Sequence, residues 1–369
     1  MADPATADPM PPAAPDGAPR LADALVNLRP VERVALADLL ADPARLKARI
    51  AGRGRKPLIV TGVADTWAEP VRADPLGCLR ARAHGDSVIS VHRTPRGQPR
   101  RPGAQMTVAE FFSAVFDRGE SARVFGLTTG HFPADAVGAY RPPAVLISAL
   151  PIRDRYFGIE TGMLFLGNDA ATDMHYDREW NDLLHIAIAG RRRLTLFAPD
   201  QSTALHRLPL ISDSALDFDR PVPPDTPGID RAEGYRCELD PGEMLVLPSR
   251  YWHFIEYIEP SAAVSYSFYT GRVTWLLGTL NGLFYNGFAV VRQIHEKRWF
   301  RRWGRWHART RARLRYGPPR GPVVAALRAA GLGLTWLAER TVYCLLWYPM
   351  LFFFLARYRG GATIYASKT

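Results

Sequence analysis

Apolar residues follow helical spacing in the first third of the chain and then switch to short β-type runs. "LADALVNLRPVERVALADLLADPARLKARI" carries them at three- and four-residue intervals, which predicts helix. "KPLIVTGVADTWAE" follows with a short strand, Leu58 to Thr61, broken by Gly62. In "AQMTVAEFFSAVFDR" an amphipathic helix is expected to start near Thr107, with Val108, Phe111, Phe112 and Val115 on one face. From about residue 156 the pattern becomes "GMLFLG", "DMHYD", "DLLHIAIAG", "RRLTLFAP", "YRCELDPG", "EMLVLPS", "HFIEYIE" and "AAVSYSFYT". Many short strands punctuated by Gly, Pro and Asp predict a sandwich or barrel of antiparallel strands, wrapped by the earlier helices and strands. "DSALDFDRPVPPDTPGIDRAEG" interrupts them and reads as a long surface loop. The β region ends near residue 272, and the chain then turns helical.

Composition adds a domain plan. With 369 residues and 47% hydrophobic content the chain can bury a sizeable core. Residues 1–20, rich in Pro and Ala without apolar periodicity, are expected to be a disordered tail, and they lack the basic start and apolar middle of a signal peptide. Residues 21–272 form the β-rich domain, 273–320 a basic helical segment and 321–369 an apolar helical tail. Cys78, Cys237 and Cys344 are far apart, which excludes a thiolate zinc site and suits reduced thiols in the cytoplasm.

Charge singles out the basic segment. Eleven Lys or Arg stand between Val291 and Arg320 against Glu296 alone, nearly the whole formal net charge of +11. Its "KRWFRRWGRWHARTRAR" suits an anionic lipid surface, because tryptophan prefers the membrane boundary and arginine pairs with phosphate. Beyond it, "TVYCLLWYPMLFFFLA" (341–356) is uncharged but, at about 1.5 Å per residue, short of a bilayer core of roughly 30 Å. Basic residues flank it on both sides, with Arg357, Arg359 and Lys368 following. The expectation is therefore a re-entrant hairpin or interfacial helix at the inner, cytoplasmic face of a membrane. A rival reading packs the apolar helix on the barrel or in a homodimer. Nucleic acid ranks below both, since no recognised reading module accompanies the basic stretch.

The candidate chemistry lies in "TDMHYDREWND". If "DMHYD" is a strand, His175 and Asp177 share a face and Tyr176 points the other way. An inward imidazole and carboxylate are costly to bury unless a cation compensates them. Two histidines and one carboxylate on one face suit mononuclear ferrous iron. "PGEMLVLPSRYWHFIEY" supplies His253 as the best third ligand. His185, alone in an apolar strand, reads first as a core histidine and is held in reserve. His84, His92, His131, His206, His295 and His307 have no partner at metal spacing. In "GRRRLTLF" alternation separates Arg191 and Arg193 from Arg192, so one arginine is expected inward, and Tyr251 and Trp252 read as core aromatics around the site.

Together, "PLIVTG" with the following Trp67, "TDMHYD", "AGRRRLTLFAPDQ" and "DPGEMLVLPSRYWHFIEY" resemble the cupin-like branch of the JmjC dioxygenases, the group containing the asparaginyl hydroxylase of hypoxia-inducible factor. The resemblance spans roughly residues 30 to 270. It implies a mainly β core, a double-stranded β-helix (cupin, or jelly roll), with an N-terminal apron and C-terminal helices. It also implies Fe(II) held by His175, Asp177 and His253, with 2-oxoglutarate as co-substrate. Thr172 and Arg192 correspond to the residues that hold the distal carboxylate of 2-oxoglutarate. Arginine can do so bidentately where relatives use lysine. Asn181 stands four after Asp177 as in the family, but two extra residues separate it from Gly190, implying a bulge or longer loop. Ser265 or Ser267 replaces an asparagine common in relatives. The activity implied is oxidative decarboxylation of 2-oxoglutarate coupled to hydroxylation of a protein side chain or small molecule. The alternative is a non-catalytic, metal-binding scaffold of the same fold at a membrane surface.

Overall fold

Two β-sheets face each other across an apolar interior in the computed structural model, which describes residues 18–51, 54–99, 103–127, 130–148, 152–153, 162–223, 225–287, 297–317 and 321–358. The strands are β1 (Leu28–Pro30), β2 (Glu32–Ala35), β3 (Leu58–Thr61), β4 (Val88–His92), β5 (Ala104–Thr107), β6 (Ala122–Leu127) and β7 (Ile152–Arg153). There follow β8 (Met163–Asn168), β9 (Ala170–Ala171), β10 (Asp182–Ala189), β11 (Arg192–Phe197), β12 (Gly234–Leu239), β13 (Met244–Leu247), β14 (Trp252–Tyr257) and β15 (Ser261–Tyr269). The larger sheet runs β2-β3-β13-β10-β15-β8-β6-β4-β5, with β7 also on β15; the smaller runs β1-β12-β11-β14-β9. The strand pattern predicts a sandwich or barrel, and its form is the cupin, or jelly-roll, core that the resemblance implies.

Strand alternation partitions the larger sheet. Leu184, Ile186, Ile188, Met244, Val246, Val264, Tyr266 and Phe268 face outward into a core shared with the N-terminal helices. Ile59, Ala187, Leu245 and Leu247 face inward, where they meet Leu194, Leu196, Cys237 and Leu239 of the smaller sheet. With both faces covered, these strands read as continuous apolar runs. The Thr107 helix forms as its sequence predicts: Thr107 and Glu110 make a reciprocal capping box, and Val108, Phe111, Phe112 and Val115 are buried.

Three expectations change. The 21–51 stretch is not all helix: Leu28–Pro30 and Glu32–Ala35 are strands, paired in parallel with β12 and β3. Sheet pairing overrides the helical spacing there, and helix is confined to Leu21–Ala24, Leu36–Leu40 and Pro43–Ala51. The segment read as a surface loop packs instead: Leu216, Phe218 and Ile229 are buried against Phe197, Trp252 and Phe254 on the outside of the smaller sheet. "DMHYD" is no strand, since His175 alone makes a bridge. Residues 1–17 of the expected tail lie outside the described residues. Arg20 is anchored, with ion pairs to Asp219 at 2.9 Å and Glu256 at 2.8 Å.

Before Gly190 the β10–β15 ladder shifts register by one residue, Ala187 pairing with Ala263 and Ala189 with Ala262. Gly190 itself takes φ 61°, and a Cβ there would lie 2.0 Å from the Pro260 carbonyl oxygen. Only glycine fits the turn that delivers the next strand.

After β15 the chain forms helices Arg272–Gly287, Arg298–Tyr316 and Pro322–Tyr358. The basic helix (Arg298–Tyr316) packs through Phe300, Gly304, His307, Ala308 and Ala312. Gly304 lies against Leu208, and Glu339 of the last helix takes Arg207 and, at 3.2 Å, Arg311. Among the described residues, no helix is long and apolar enough to cross a membrane. Cys78 and Cys237 are free thiols, while the side chain of Cys344 lies outside the described residues.

Candidate metal centre

The centre begins as a backbone pairing. β9 pairs with β14 through Ala170–Tyr257 and Ala171–Glu256, and Thr172 continues it by donating its N–H to the Ile255 carbonyl at 2.9 Å. The next paired residues are His175 and His253, which exchange N–H···O bonds at 3.2 and 2.7 Å. Three steps on one side therefore oppose two on the other, so the chain bulges at Asp173 and Met174. The bulge turns His175 to the same side as His253, with ring centroids 4.3 Å apart. Asp177 follows two residues on, its Oδ1 3.9 Å from His253 Nε2. Ligand atoms of His175, Asp177 and His253 all lie within 4.8 Å of one another. Between the ligands, Tyr176 points away and packs edge-on against buried Trp252.

Second partners orient both imidazoles. His175 Nδ1 lies 2.8 Å from the Asp173 carbonyl oxygen, and His253 Nδ1 lies 3.1 Å from that of Tyr251. A carbonyl can only accept, so each Nδ1 carries a proton and Nε2 is the ring nitrogen left to face the other ligands. Burial, reinforced by His175 and opposed by Asp177, pushes His253 down to about 4, which keeps it neutral and able to ligate near pH 7. Two lone pairs and a carboxylate oxygen form a facial donor set for a divalent metal.

Arg192 stands deeper, on the inward face of β11 beside Tyr257 of β14. The outward neighbours Arg191 and Arg193 pair with Glu259 and Glu238. Arg192, by contrast, is 0% exposed, and no carboxylate among the described residues pairs with it. Its guanidinium lies 4.6 Å from the Tyr257 ring centroid, donates to Ser261 and to the Phe165 carbonyl, and leaves Nη1 without a partner. Burial lowers its pKa to about 10, which still leaves it cationic. An uncompensated buried cation costs several kcal/mol by the usual scale. A carboxylate ligand supplies the missing counter-charge and acceptor, so the residues present fit both a divalent metal and an anionic co-substrate.

The remaining candidates, Thr172, Asn181 and Ser265, are buried as well. Thr172 Oγ accepts from the Ile255 N–H at 2.9 Å, leaving its own hydroxyl proton to donate. Asn181 donates to Ser267 at 2.7 Å, and Ser265 is tied to His185 Nδ1 at 2.6 Å rather than standing alone. Sequence reading set His185 aside and gave Tyr257 no role. Parity along β10 was the available signal, because His185 is two positions from Leu183 and four from Asn181 and so shares their face. At the mouth, buried Asp182 holds Arg55 at 2.5 Å and accepts from the Ser249 N–H at 2.8 Å.

A double-stranded β-barrel carrying a His-x-Asp…His cluster that could hold a metal, and a buried arginine, is a cupin-type arrangement. Sequence comparison places the chain in one family: the cupin-like domain family model matches residues 43–272, more than half of the chain, and the protein belongs to that family, of JmjC type. It is similar to an HSPB1-associated protein 1 homolog of Danio rerio, 33% identical over 103 residues, covering 26% of this chain and 23% of the relative. JmjC domain-containing protein C of Dictyostelium discoideum is 28% identical over 120 residues, covering 30% and 28%. Lysine-specific demethylase 8 of Danio rerio is 28% identical over 96 residues, covering 25% and 23%. The chain thus matches about a quarter of the length of these relatives. They support kinship with the 2-oxoglutarate- and iron(II)-type oxygenases.

Proposed function

We propose that the protein is an iron(II)- and 2-oxoglutarate-dependent oxygenase that hydroxylates a protein side chain or small molecule. The observation that carries this reading is Arg192, a buried cation without a counter-ion among the described residues, in the same barrel as a His–Asp–His set. His175, Asp177 and His253 would hold the metal, while Arg192 and the Thr172 hydroxyl would take the distal carboxylate of the co-substrate. The bound metal and 2-oxoglutarate supply the oxidising chemistry. The protein's own contribution is to orient the co-substrate along the barrel and to exclude water with Leu194, Leu196, Leu245 and Leu247. A cleft of about 930 Å³ lies beside Tyr251, lined by Arg55, Lys56, Asp200 and Tyr235.

Anaerobic addition of iron(II) and 2-oxoglutarate tests the reading. A visible metal-to-ligand charge-transfer band is expected, abolished in Asp177→Ala, with succinate formed on admitting oxygen. A folded protein that gives no band is a scaffold, and the reading is then wrong.

The basic helix carries a second proposal, an anionic lipid surface as partner. Trp299, Arg302, Trp306 and Arg309 are exposed and spaced i, i+3, i+7, i+10, one stripe opposite the packed face. Trp275, Leu276, Trp336 and Leu337 on the flanking helices are also exposed. Co-sedimentation with vesicles of phosphatidylcholine, with and without phosphatidylglycerol, checks it. Binding to the anionic vesicles alone, lost in a Trp299→Ala/Trp306→Ala variant, is expected; equal recovery in every supernatant overturns it.

A further inference from the structure

Three polar side chains inside the barrel share one arrangement. Arg192, His185 and Asn181 each hydrogen-bond a serine of β15, respectively Ser261, Ser265 and Ser267. Each also keeps one buried atom without a partner: Arg192 Nη1, His185 Nε2 and Asn181 Oδ1. A buried polar atom left unpaired costs about 1–3 kcal/mol, and three such atoms, on side chains all tied to serines of β15, mark a surface awaiting a ligand. His185 is the member with no assigned part. It sits directly across from Ser265 in the β10–β15 ladder and is 4% exposed, and its pKa is lowered by burial and further by the Arg192 cation.

We propose that His185 is a second recognition residue for the anionic co-substrate, donating from Nε2–H to a carboxylate of the ligand that Arg192 holds. The inference rests on the oxygenase reading above and names a residue of that same site. The chemistry follows from the partners. Ser265 is both donor and acceptor, so it can hold Nδ1 in either tautomer. Burial keeps the imidazole uncharged, so one ring nitrogen must accept. An anion beside Arg192 selects the tautomer in which the Ser265 hydroxyl donates to Nδ1 and the proton resides on Nε2. The same bond replaces the missing partner of His185. A neutral donor also adds no second cation to a barrel that already contains an uncompensated one.

The test measures binding rather than turnover. The full chain is loaded with manganese(II), which reports its own affinity by electron paramagnetic resonance, and titrated with 2-oxoglutarate by calorimetry. His185→Phe fills the space without a donor and is expected to weaken 2-oxoglutarate about 10- to 100-fold, as for a hydrogen bond to a charged group. His185→Gln, which can place an N–H donor on the same side, should recover to within about 5-fold of the native value. Manganese affinity should stay unchanged in both. In native protein, adding 2-oxoglutarate should move the His185 Nε2 nitrogen-15 resonance to the protonated position. If His185→Phe binds 2-oxoglutarate like the native protein while Arg192→Met loses it, His185 only packs the wall and the proposal falls, with the oxygenase reading intact. If Arg192→Met also binds normally, or native protein does not bind 2-oxoglutarate, that reading falls and takes the proposal with it.

Discussion

The barrel interior and the C-terminal helices use arginine in opposite ways. The basic helix collects most of the protein's excess positive charge, yet its half-buried Arg311 is answered by Glu339, and the exposed Arg313 pairs with Asp225 at the surface. Among the described residues the barrel interior has Arg192 as its inward arginine, and no carboxylate pairs with it. Charge density attracts attention in a sequence, but a buried charge with no counter-ion points to a ligand. The first kind of arginine supports the fold or meets an external surface, whereas the second is destabilising until something binds.

The largest effect expected from that contrast is at Arg192. Arg192→Met removes the unpaired cation and keeps a long apolar side chain against Tyr257. Without ligand, the variant should be more stable by about 1–4 kcal/mol, as when buried ions are replaced by apolar residues of similar volume. Its affinity for 2-oxoglutarate should fall at least about 100-fold, since a charge-assisted contact with a carboxylate is lost. Denaturant unfolding of metal-free protein and calorimetric titration of the loaded form measure the two. A variant that loses stability without ligand would show Arg192 to be a structural support and erase the comparison.

Arg192 also shows what the sequence could convey. Alternation in "GRRRLTLF" predicts one inward arginine, and the register of β11 against β14 shows it to be Arg192, with Tyr257 as its neighbour. The triad was legible as residue types and spacing, but its geometry was not. His175 reaches His253 through a bulge, and a bulge leaves no mark in apolar periodicity. The expected bulge or longer loop before Gly190 has a counterpart in a one-residue register shift of the β10–β15 ladder. The 21–51 strands were hidden because their partners, β3 and β12, lie far along the chain, and pairing of that kind is decided by tertiary context. The loop carrying Phe218 looked like surface because its buried residues are sparse among Pro and Asp.

Glu339 is the counter-case in the helices. Burial alone would raise its pKa, but Arg207 and Arg311 outweigh this and hold the carboxyl below the usual range. Its folded value is depressed, so its contribution is present above the unfolded carboxylate range and disappears as pH falls through the folded value. Glu339→Gln leaves two half-buried guanidinium groups facing each other. A loss of about 1–3 kcal/mol in denaturant unfolding is expected, discounted from the fully buried case because both arginines reach solvent. The loss should vanish at acid pH, where Glu339 itself is protonated.

Buried histidines extend the contrast to pH. His185 in the barrel and His206 in the packed loop are both lowered, chiefly by burial, with Arg192 acting further on the first and the Pro227 carbonyl opposing on the second. Their folded values lie below the unfolded 6.5, so each stabilises the neutral-pH protein and ceases to do so on acidification. Unfolding midpoints should fall as pH drops below about 6.5, by up to ~1.4 kcal/mol per pH unit for each histidine. His185→Gln and His206→Gln should each flatten that slope, and an unchanged slope would place the sensitivity elsewhere.

The smallest effect on stability is expected on the outer face of the basic helix. Arg302 and Arg309 are exposed on the stripe with Trp299 and Trp306, away from the face that packs on Leu208 and Glu339. Arg302→Ala/Arg309→Ala should change unfolding free energy by no more than about 0.5 kcal/mol, as for other surface sites, since alanine is also the better helix former. Binding of anionic vesicles should weaken noticeably, because each basic side chain near such a surface contributes about 1 kcal/mol, and added salt should mask the difference. Titration by 2-oxoglutarate should be unaffected. A double variant that unfolds readily would mean these arginines support the helix packing, and the distinction between an answered interior arginine and an outward, surface-seeking one would no longer hold along this helix.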